Sequence, residues 1–440
     1  MKRRVRVPRP EELPALDGEQ LAELMRKAQP EALRADRYLS WQELRFRTPP
    51  EGLTTEQWWM GIKLHRAQAR VELPLGDARG VPFRYAVTAA MQQMLYQLDR
   101  AAGAPMLSED DRYLLSSPAE ESIMSSLLEG AAVTRSEARE LIRSNRPARD
   151  EHEQMVMNNY RTMQMITEQR DRPLTPDFIL ALHRSMTTDT LRDPEKAGTL
   201  RRAEDRVCIE DTRTGDIIHR PPAAESLPAR LEALCRFANG ENGEACYLHP
   251  IIRAVILHFQ LAYDHPFVDG NGRTARSLFY WGMLHAGYGL FEHISISREI
   301  YRHSRSYYEA FLNAEEDDND LNYFILDQLR TIGQALDSLN AHLSEKQARQ
   351  EALAHALDGF APLNPRQRGV LLHFLRHPTA TTSVTQHCRE YGIVRQTART
   401  DLTALERLGL VSSRLVSREY IFRPAENLVR RLREMGLTTG

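Results

Sequence analysis

The sequence contains few cysteines, no long apolar run and almost no net charge. Its 440 residues include four cysteines, at positions 208, 235, 246 and 388, and carry a formal net charge of −2. Thiols this sparse argue against a disulfide framework and favour a reducing compartment. No window approaches the roughly 18 uninterrupted apolar residues that a membrane span requires. The composition predicts a cytoplasmic protein of two or three domains with no membrane partner.

Other common signals are also missing. The chain has no Gly-x-x-x-x-Gly-Lys-Ser/Thr, which excludes P-loop chemistry. Cys235, Cys246 and His249 lack zinc-ligand spacing, so the thiols are expected to be buried or idle. The basic start of the chain leads into Glu-Glu-Leu-Pro rather than an apolar segment, so neither a signal peptide nor an anchor is expected.

The sequence does contain clear capping residues at the starts and ends of predicted helices. Ser117 is an N-cap candidate, with Pro118 at the first helical position. Gly130 suits a left-handed C-cap, so a helix is predicted over 118–129 with Glu129 in its last turn. Caps and apolar patterns predict further helices at 148–168, from Thr175, at 250–263, from Arg273 to His285 and at 320–357.

Strand signals are fewer. Residues 206–210 and 216–219 predict a β-hairpin, the only clear sheet signal before the C-terminal region. The acidic run 315–320 is interpreted as a solvated turn or helix start. Residues 1–105 show helical stretches but no recognisable chemistry, although the apolar patch 58–63 is typical of a core.

The C-terminal region has a different charge. Residues 361–440 hold thirteen arginines, no lysine and six acidic residues, a net charge of +7. Three predicted helices followed by an alternating β-wing at 411–422 are typical of a winged helix. DNA binding and protein binding or dimerisation both remain open for such a module. The side chains expected to face DNA are Arg395, Gln396 and Arg399 on the third helix and Arg414, Arg418 and Arg423 near the wing.

The densest chemistry lies between the helices predicted at 250–263 and 273–285, in His265-Pro-Phe-Val-Asp-Gly-Asn-Gly-Arg-Thr-Ala-Arg276. Its glycines permit positive φ, so backbone N–H groups at the helix start can turn toward an anion. Arg273 and Arg276 share one helix face and can hold phosphate oxygens. Asp269 suits Mg²⁺, and a neutral His265 can accept a hydroxyl proton.

Simpler explanations fit this loop less well. An EF-hand beginning at Asp269 needs an acid at its fifth position, glycine at its sixth and glutamate at its twelfth. Arg273, Thr274 and Tyr280 stand there instead. A plain helix-loop-helix turn is the remaining alternative, but it gives no reason for His, Asp, Asn and two Arg at this spacing.

The loop resembles the Fic signature, His-x-Phe-x-Asp/Glu-Gly-Asn-Gly-Arg-x-x-Arg, at every position. The resemblance extends over about residues 117–330 and implies an all-helical Fic core with the 206–219 hairpin as a target-holding flap. Together with the C-terminal pattern it predicts a mainly α chain. Its predicted parts are a helical region of unknown role at 1–105, a Fic domain at 106–330 that includes the inhibitory helix 118–129, a helical linker at 331–360 and a winged-helix domain at 361–440.

The resemblance also implies residue roles. His265 is expected to be the general base, Asp269 the Mg²⁺ ligand and Phe267 a core anchor. The nucleotide-binding set is Gly270, Asn271 and Gly272 on the α-phosphate, with Arg273 and Arg276 on the outer phosphates. The target-binding edge of the flap is Val207, Cys208 and Ile209, which would pair with an extended target segment.

The implied activity is that of a protein adenylyltransferase, which transfers AMP from Mg-ATP to a Ser, Thr or Tyr hydroxyl of a target protein. Relatives that phosphorylate have lysine in place of Gly272, and this sequence does not. AMP transfer is therefore favoured, although relatives that use UTP or choline nucleotides share the loop.

An inhibitory element is implied by the segment Ser125-Ser-Leu-Leu-Glu129-Gly130, which resembles the family pattern Ser/Thr-x-x-x-Glu-Gly/Asn. By that resemblance Glu129 pairs with Arg276 and occupies the fork that the γ-phosphate needs, so the enzyme is autoinhibited. Ser125 lies one turn earlier on the same helix face. The alternative is that Glu129 merely ends an exposed helix.

Two other functions stay open at this point. One is a de-AMPylating enzyme that uses the same site, and the other is a regulator whose Fic domain senses nucleotide while the winged helix binds DNA. The expected cofactor is Mg²⁺, with ATP as substrate. The expected partners are ATP, an unidentified target protein, a second copy of the chain through auto-AMPylation or a homodimer, and DNA through 361–440.

Overall fold

The computed structural model describes most of the chain: residues 4–9, 16–32, 37–103, 117–210, 215, 217–241, 247–358, 360–377, 380–416 and 419–437. Cys246, Arg418 and the predicted turn at 211–214 lie outside the described residues. The fold divides into two compact units, one reaching to Leu336 and the other beginning at Asp337. Within the described ranges, no helix combines the length and apolar character needed to cross a membrane.

The first unit is mainly helical, with two small hairpins. Its elements up to residue 103 are α1 (Gly18–Ala32), α2 (Trp41–Leu44), α3 (Thr55–Gln68), β1 (Val71–Gly76), β2 (Pro82–Tyr85) and α4 (Ala89–Ala102). From residue 117 they are α5 (Ser117–Leu128), α6 (Arg135–Ser144), α7 (Glu151–Glu168), α8 (Pro176–Thr187), β3 (Ile209–Glu210), β4 (Ile217–His219), α9 (Leu227–Ala238), α10 (Pro250–Asp264), α11 (Asn271–His285), α12 (Ile296–Arg302), α13 (Ser304–Glu316) and the start of α14 (Asn322–Asp358).

The predicted helices are present, with ends shifted by one to three residues. α5 ends at Leu128, so Glu129 lies just beyond it, next to Gly130 with φ of 90°. α11 begins at Asn271 rather than at the predicted Arg273, and Gly270 is its N-cap with φ of 78°. Gly272 is therefore helical, and the positive φ expected of both loop glycines occurs at Gly270 only.

A second hairpin precedes the predicted one, because β1 and β2 pair antiparallel. The carboxylate of Asp77 fixes its turn by accepting bonds from the backbone N–H groups of Arg79 and Val81, each at 2.9 Å. The expectation of a single sheet signal before the C-terminal region was wrong. Leu73 and Leu75 do alternate with exposed residues, but Pro74 between them disguised the strand.

The acidic run 315–320 was predicted to be solvated, and this was wrong. Asp317, Asn319 and Asp320 are buried. Lys63, in α3, donates to Asp317 at 2.5 Å, and Arg70 donates to Asp320 at 2.5 Å. Buried carboxylates need such partners, and these come from residues about 250 positions earlier in the chain. The region predicted as 1–105 thus lies in the same compact unit as the later helices.

The second unit contains the elements predicted for a winged helix. Its element order over the described residues is the end of α14, then α15 (Pro365–Arg376), β5 (Thr382–Ser383), α16 (Val384–Tyr391), α17 (Arg395–Arg407), β6 (Val411–Val416), β7 (Glu419–Pro424) and α18 (Leu428–Glu434). The strand order is β5-β7-β6. Its core includes Leu371, Leu402, Leu405 and Phe422. The three helices and the β-wing agree with the sequence, whereas β5 and α18 were not predicted. The winged-helix assignment itself stays a prediction.

Candidate active site

The predicted loop joins two buried helices, α10 and α11. Leu257, Phe259 and Leu261 of α10 have almost no exposed surface, as expected for a central helix. His265 follows α10 as its C-cap and has a left-handed φ of 45°, a conformation that non-glycine residues adopt only when neighbouring contacts hold them. Phe267 is fully buried, as its predicted role as a core anchor requires.

The imidazole of His265 is oriented to accept a proton at Nε2. Its Nδ1 lies 3.2 Å from the carbonyl oxygen of Ala262, and because a carbonyl can only accept, Nδ1 carries the hydrogen. No described residue bonds to Nε2. Burial lowers the pKa of His265 to about 4, so the ring is neutral near pH 7. These are the properties that a general base needs.

The shape of the loop depends on the Asn271 side chain. Its Oδ1 accepts from the N–H of Phe267 at 2.9 Å, and its Nδ2 donates to the carbonyl of Phe267 at 2.8 Å. This amide is therefore committed to the backbone of the loop. Any contact of Asn271 with a phosphate would come from its backbone N–H at the first turn of α11.

His183, in α8, supports the same loop and was missed by the sequence reasoning. Its ring stacks on Phe267 with centroids 3.7 Å apart. Nδ1 accepts from the N–H of Gly198 at 2.9 Å, so Nε2 carries the hydrogen and donates to the carbonyl of Asp269 at 2.9 Å. Burial lowers the pKa of His183 to about 4, so the ring is neutral near pH 7 and keeps this tautomer. A single histidine on an apolar helix gives no signal of this role.

Arg273 is buried yet poorly partnered. Its Nη1 lies 3.4 Å from the carbonyl of Met186 and its Nη2 lies 3.3 Å from the carboxylate of Asp269, both long for charged hydrogen bonds. Its Nε has no partner among the described residues. Burial lowers the pKa of Arg273. A guanidinium in this state is suited to an incoming anion, which would complete its bonds.

Arg276, one turn later, is bonded through both Nε and Nη2. Its Nε donates to Oγ of Ser125 at 2.9 Å, and its Nη2 donates to Oε1 of Glu129 at 2.8 Å. Burial lowers the pKa of Arg276, but the Glu129 carboxylate outweighs this effect and leaves the pKa raised. A β-carbon added at Gly272 would collide with the same Oε1. The carboxylate of Glu129 therefore lies directly over the first turn of α11.

Helix α5, which ends just before Glu129, is held one turn before Ser125 by Glu121, a second residue that the sequence did not single out. The buried Glu121 carboxylate accepts from the hydroxyls of Tyr280 and Ser295, each at 2.8 Å, and from both the N–H and the hydroxyl of Ser297. Tyr280 lies one turn beyond Arg276 on α11. Contacts at two successive turns of α11 thus fix the position of α5.

The hairpin predicted to act as the flap is present but shorter than expected. β3 pairs antiparallel with β4, with Ile209 opposite His219 and Glu210 opposite Ile217. Val207 and Cys208, predicted as part of the target-binding edge, precede the strand. Cys208 donates to Glu210 at 3.3 Å, and this bond raises the pKa of its thiol.

The carboxylate of Asp269 fits the requirements of Mg²⁺ in a nucleotide site. Its side chain is 56% exposed, and the long contact with Arg273 leaves its oxygens accessible. Magnesium typically uses one or two carboxylates and takes its remaining ligands from phosphate oxygens and water. The site thus combines a neutral base, an open carboxylate, a helix start and an incompletely bonded arginine.

The sequence of this region matches a known family. Residues 173–282 match the model of the Fic/DOC family. A 120-residue segment is 35% identical to the protein adenylyltransferase Fic of Nematostella vectensis and covers 27% of this chain and 25% of that protein. The protein adenylyltransferase Fic of Drosophila melanogaster is 35% identical over 115 residues, which are 26% of this chain and 21% of that protein. The chain therefore aligns with a quarter or less of the length of these relatives.

Two solved structures share the fold. A Fic family protein from Desulfovibrio desulfuricans superposes with a TM-score of 0.52 at 18% identity, covering 78% of this chain and 98% of that one. A Fic-1 segment from C. elegans gives a TM-score of 0.50 at 18% identity, covering 75% of this chain and 86% of that one. At these identities the likeness shows the fold alone.

Proposed function

Since residues 173–282 form a Fic/DOC family domain, we propose that this chain is a protein adenylyltransferase that moves AMP from Mg-ATP to a hydroxyl of a target protein. The observation that carries the proposal is the orientation of His265, whose Nδ1 is bound to a backbone carbonyl while Nε2 is left to accept a proton. The relatives named protein adenylyltransferase Fic support the same reaction.

In the proposed reaction the target hydroxyl oxygen forms a bond to the α-phosphorus of ATP. The bond from that phosphorus to the oxygen bridging to the β-phosphate breaks, and pyrophosphate leaves. The hydroxyl proton passes to Nε2 of His265, which the lowered pKa keeps unprotonated beforehand. Most of the catalytic effect expected here is positioning and charge stabilisation.

Other groups of the chain are expected to bind the phosphates and the metal ion. Backbone N–H groups of Gly272 and its neighbours at the start of α11 hold phosphate oxygens, assisted by the helix dipole. Arg273 supplies a buried guanidinium with unused donors. Asp269 would hold Mg²⁺, which neutralises charge on the phosphate oxygens when bound.

We further propose that Glu129 inhibits this reaction. Its bond to Arg276 removes the donor that an outer phosphate would use, and its negative charge lies over Gly272, where a phosphate would approach. The contacts of Glu121 with Tyr280, Ser295 and Ser297 keep α5 in this inhibitory position.

The experiment compares wild-type, Glu129→Gly, His265→Ala and the double variant, each incubated with α-labelled ATP and Mg²⁺. We expect Glu129→Gly to raise auto-AMPylation at least about tenfold, because one charge-assisted hydrogen bond of roughly 1.5–3 kcal/mol no longer competes with the phosphate. We expect no label whenever His265 is replaced. Equal labelling of wild-type and a folded Glu129→Gly variant would refute the inhibitory role, and labelling without His265 would refute the mechanism.

The reverse reaction is the alternative for the same site. A water held near Glu129 would remove AMP from a modified target, and the glutamate would then be needed rather than inhibitory. Release of AMP from auto-modified Glu129→Gly protein by added wild-type protein would favour this alternative.

DNA binding by the C-terminal unit is a second candidate function. On α17 the side chains of Ala398, Leu402 and Leu405 are buried, whereas Arg395, Gln396 and Arg399 are exposed. Apolar residues thus face the core while cationic residues face solvent, as a recognition helix requires. The net charge of +7 over 361–440 supports a polyanionic partner.

A further inference from the structure

Two buried cations lie between the flap and the loop that carries His265. His219 is the last residue of β4, and Arg201 precedes the flap in sequence. Both side chains are nearly inaccessible to solvent. Burying a cation is unfavourable unless it is paired or hydrogen-bonded, so their contacts identify what each one holds.

His219 contacts an acceptor at each ring nitrogen. Its Nδ1 lies 2.8 Å from Oε2 of Glu315, and its Nε2 lies 2.7 Å from the carbonyl oxygen of Tyr263. An ionised carboxylate and a carbonyl can only accept, so both nitrogens must donate and the ring is an imidazolium. Burial disfavours this charge, but the bond and charge of Glu315, the Tyr263 carbonyl and the charge of Asp264 together outweigh it, and the pKa of His219 is raised.

Arg201 holds the next residues of the loop. Its Nε donates to the carbonyl of His265 at 2.8 Å, and its Nη2 donates to the carbonyl of Pro222, just after the flap, at 2.5 Å. Its backbone N–H donates to the carbonyl of Pro266 at 2.8 Å. Burial lowers the pKa of the Arg201 guanidinium, because its positive charge is less stable away from water.

Together the two cations connect the C-terminal end of the flap with the backbone on both sides of the candidate base. Tyr263 precedes His265 by two residues, and Pro266 follows it directly. The left-handed backbone of His265 requires support of this kind from its surroundings. His219 and Arg201 therefore hold the β4 end of the flap to the loop of the imidazole, and the pairing of Ile209 with His219 connects this end to the flap edge.

We propose that His219 and Arg201 are positioning residues that lock the flap to the His265 loop, so that a target segment paired with the flap presents its hydroxyl to the imidazole. This inference rests on the proposed AMP transfer and extends it to target presentation. A hydroxyl misplaced by about 1 Å reacts far more slowly, so such a lock acts on turnover rather than on ATP affinity.

The charged and titratable groups that face His219 are Glu315 from α13 and Tyr263, Asp264 and His265 from α10 and the loop. Asp264 is itself paired with Arg230. Because the His219 cation lies near His265, it is one of the influences that lower the pKa of His265, after burial. Removing the cation should therefore raise the pKa of His265, which can be measured without any turnover.

The test uses the full chain carrying Glu129→Gly, with His219→Gln, Glu315→Gln and the double variant, and with His342→Gln as a matched control on the exposed face of α14. Histidine side-chain nitrogen NMR of each variant reports protonation and tautomer. Auto-AMPylation with Mg-ATP reports kcat and the KM for ATP. Arg201→Lys tests the second cation in the same assays.

We expect both ring nitrogens of His219 to be protonated at pH 7, and the pKa of His265 to rise in His219→Gln. We expect kcat to fall at least about tenfold with KM for ATP unchanged, and the double variant to be no worse than either single one, since both remove the same ion pair. A neutral His219 at pH 7, an unshifted His265, or equal losses in KM and kcat would overturn the inference. If the parent variant transfers no AMP, the proposed function fails, but the NMR results still decide whether the lock exists.

Discussion

Arginine is used in opposite ways at the start of α11 and in the second unit. Arg273 and Arg276 are almost fully buried, and each has a defined set of contacts. Arg395 and Arg399 lie on the exposed face of α17. A buried guanidinium can hold one anion in one geometry with little screening, whereas exposed ones attract a polyanion in many geometries and are weakened by salt. The first arrangement suits selective binding of one anion, and the second suits diffuse attraction of a polyanion.

The contrast exists even between the two arginines of α11. Arg276 has short hydrogen bonds at Nε and Nη2, which Ser125 and Glu129 accept. Arg273 has two long contacts and an unpartnered Nε within the described part of the chain. Arg276 is thus bonded to other residues of the protein, whereas Arg273 has donor groups left for a ligand. The inhibition proposed above would therefore act through Arg276 alone.

The largest effect is expected from Arg273→Gln in the Glu129→Gly chain. The substitution removes one buried hydrogen-bond donor to the negative charge that develops on the phosphate oxygens during transfer. The rate of AMP transfer should therefore fall on the order of 10²–10³-fold. Arg399→Gln, the same change in the second unit, should leave the rate unaltered. The rates of auto-AMPylation measure both, and comparable losses from the two substitutions would remove the distinction between the regions.

The acidic run 315–320 contains both a buried and an exposed carboxylate. Replacing each one compares the effect of burial on the free energy of unfolding. Asp320 is completely buried and accepts from Tyr38 at 2.6 Å as well as from Arg70. Asp320→Asn should destabilise the first unit by about 2–3 kcal/mol, because it leaves a buried guanidinium without its counter-charge.

The matched control is Asp318→Asn, since that side chain is 46% exposed although it lies 3.0 Å from Lys63. It should cost less than about 1 kcal/mol. Urea unfolding followed by tryptophan fluorescence measures both changes, because all four tryptophans lie in the first unit. A similar urea midpoint for the two variants would contradict the view that burial of Asp320 makes its ion pair important for stability.

A smaller effect concerns pH. Burial lowers the pKa of His265 to about 4, so the base form persists far below the usual histidine value of about 6.5. The rate of the Glu129→Gly chain should stay level from neutral pH to about 5 and fall as the pH drops through about 4. Circular dichroism at each pH controls for unfolding, and a fall centred near 6.5 in folded protein would count against His265 as the base.

The smallest effect is expected on DNA binding. If the exposed arginines contact phosphates, Arg395→Ala and Arg399→Ala should each reduce the slope of log K against log salt by about 1, as single lost phosphate contacts do. Arg305→Ala, an exposed arginine of the first unit, should leave the slope unchanged. Gel-shift titrations of the full chain with duplex DNA at several salt concentrations measure this, and no binding at low salt would exclude the function.

Several parts of the site could be predicted because they depend on neighbours in sequence. The helix start at Thr175 could be predicted because its side chain bonds to a backbone N–H three residues on. The twelve-residue loop was readable because its spacing on a helix start limits what it can bind.

Contacts between distant residues could not be predicted. Nothing near Asp320 in sequence indicates that Arg70 would neutralise it, so the acidic run was interpreted as solvated. His183, Glu121, Arg201 and His219 were missed for the same reason, since each acts through a partner more than twenty residues away.

The sequence by itself determined most of the helices, the three helices and the wing of the second unit, and the chemical groups of the loop. These follow from side chains whose partners lie within one or two turns, where chain connectivity alone brings them together. Only the tertiary structure decided which charges are buried, which arginine is already occupied and how the flap is tied to His265. Those outcomes depend on desolvation and on partners from remote segments, which no local pattern encodes.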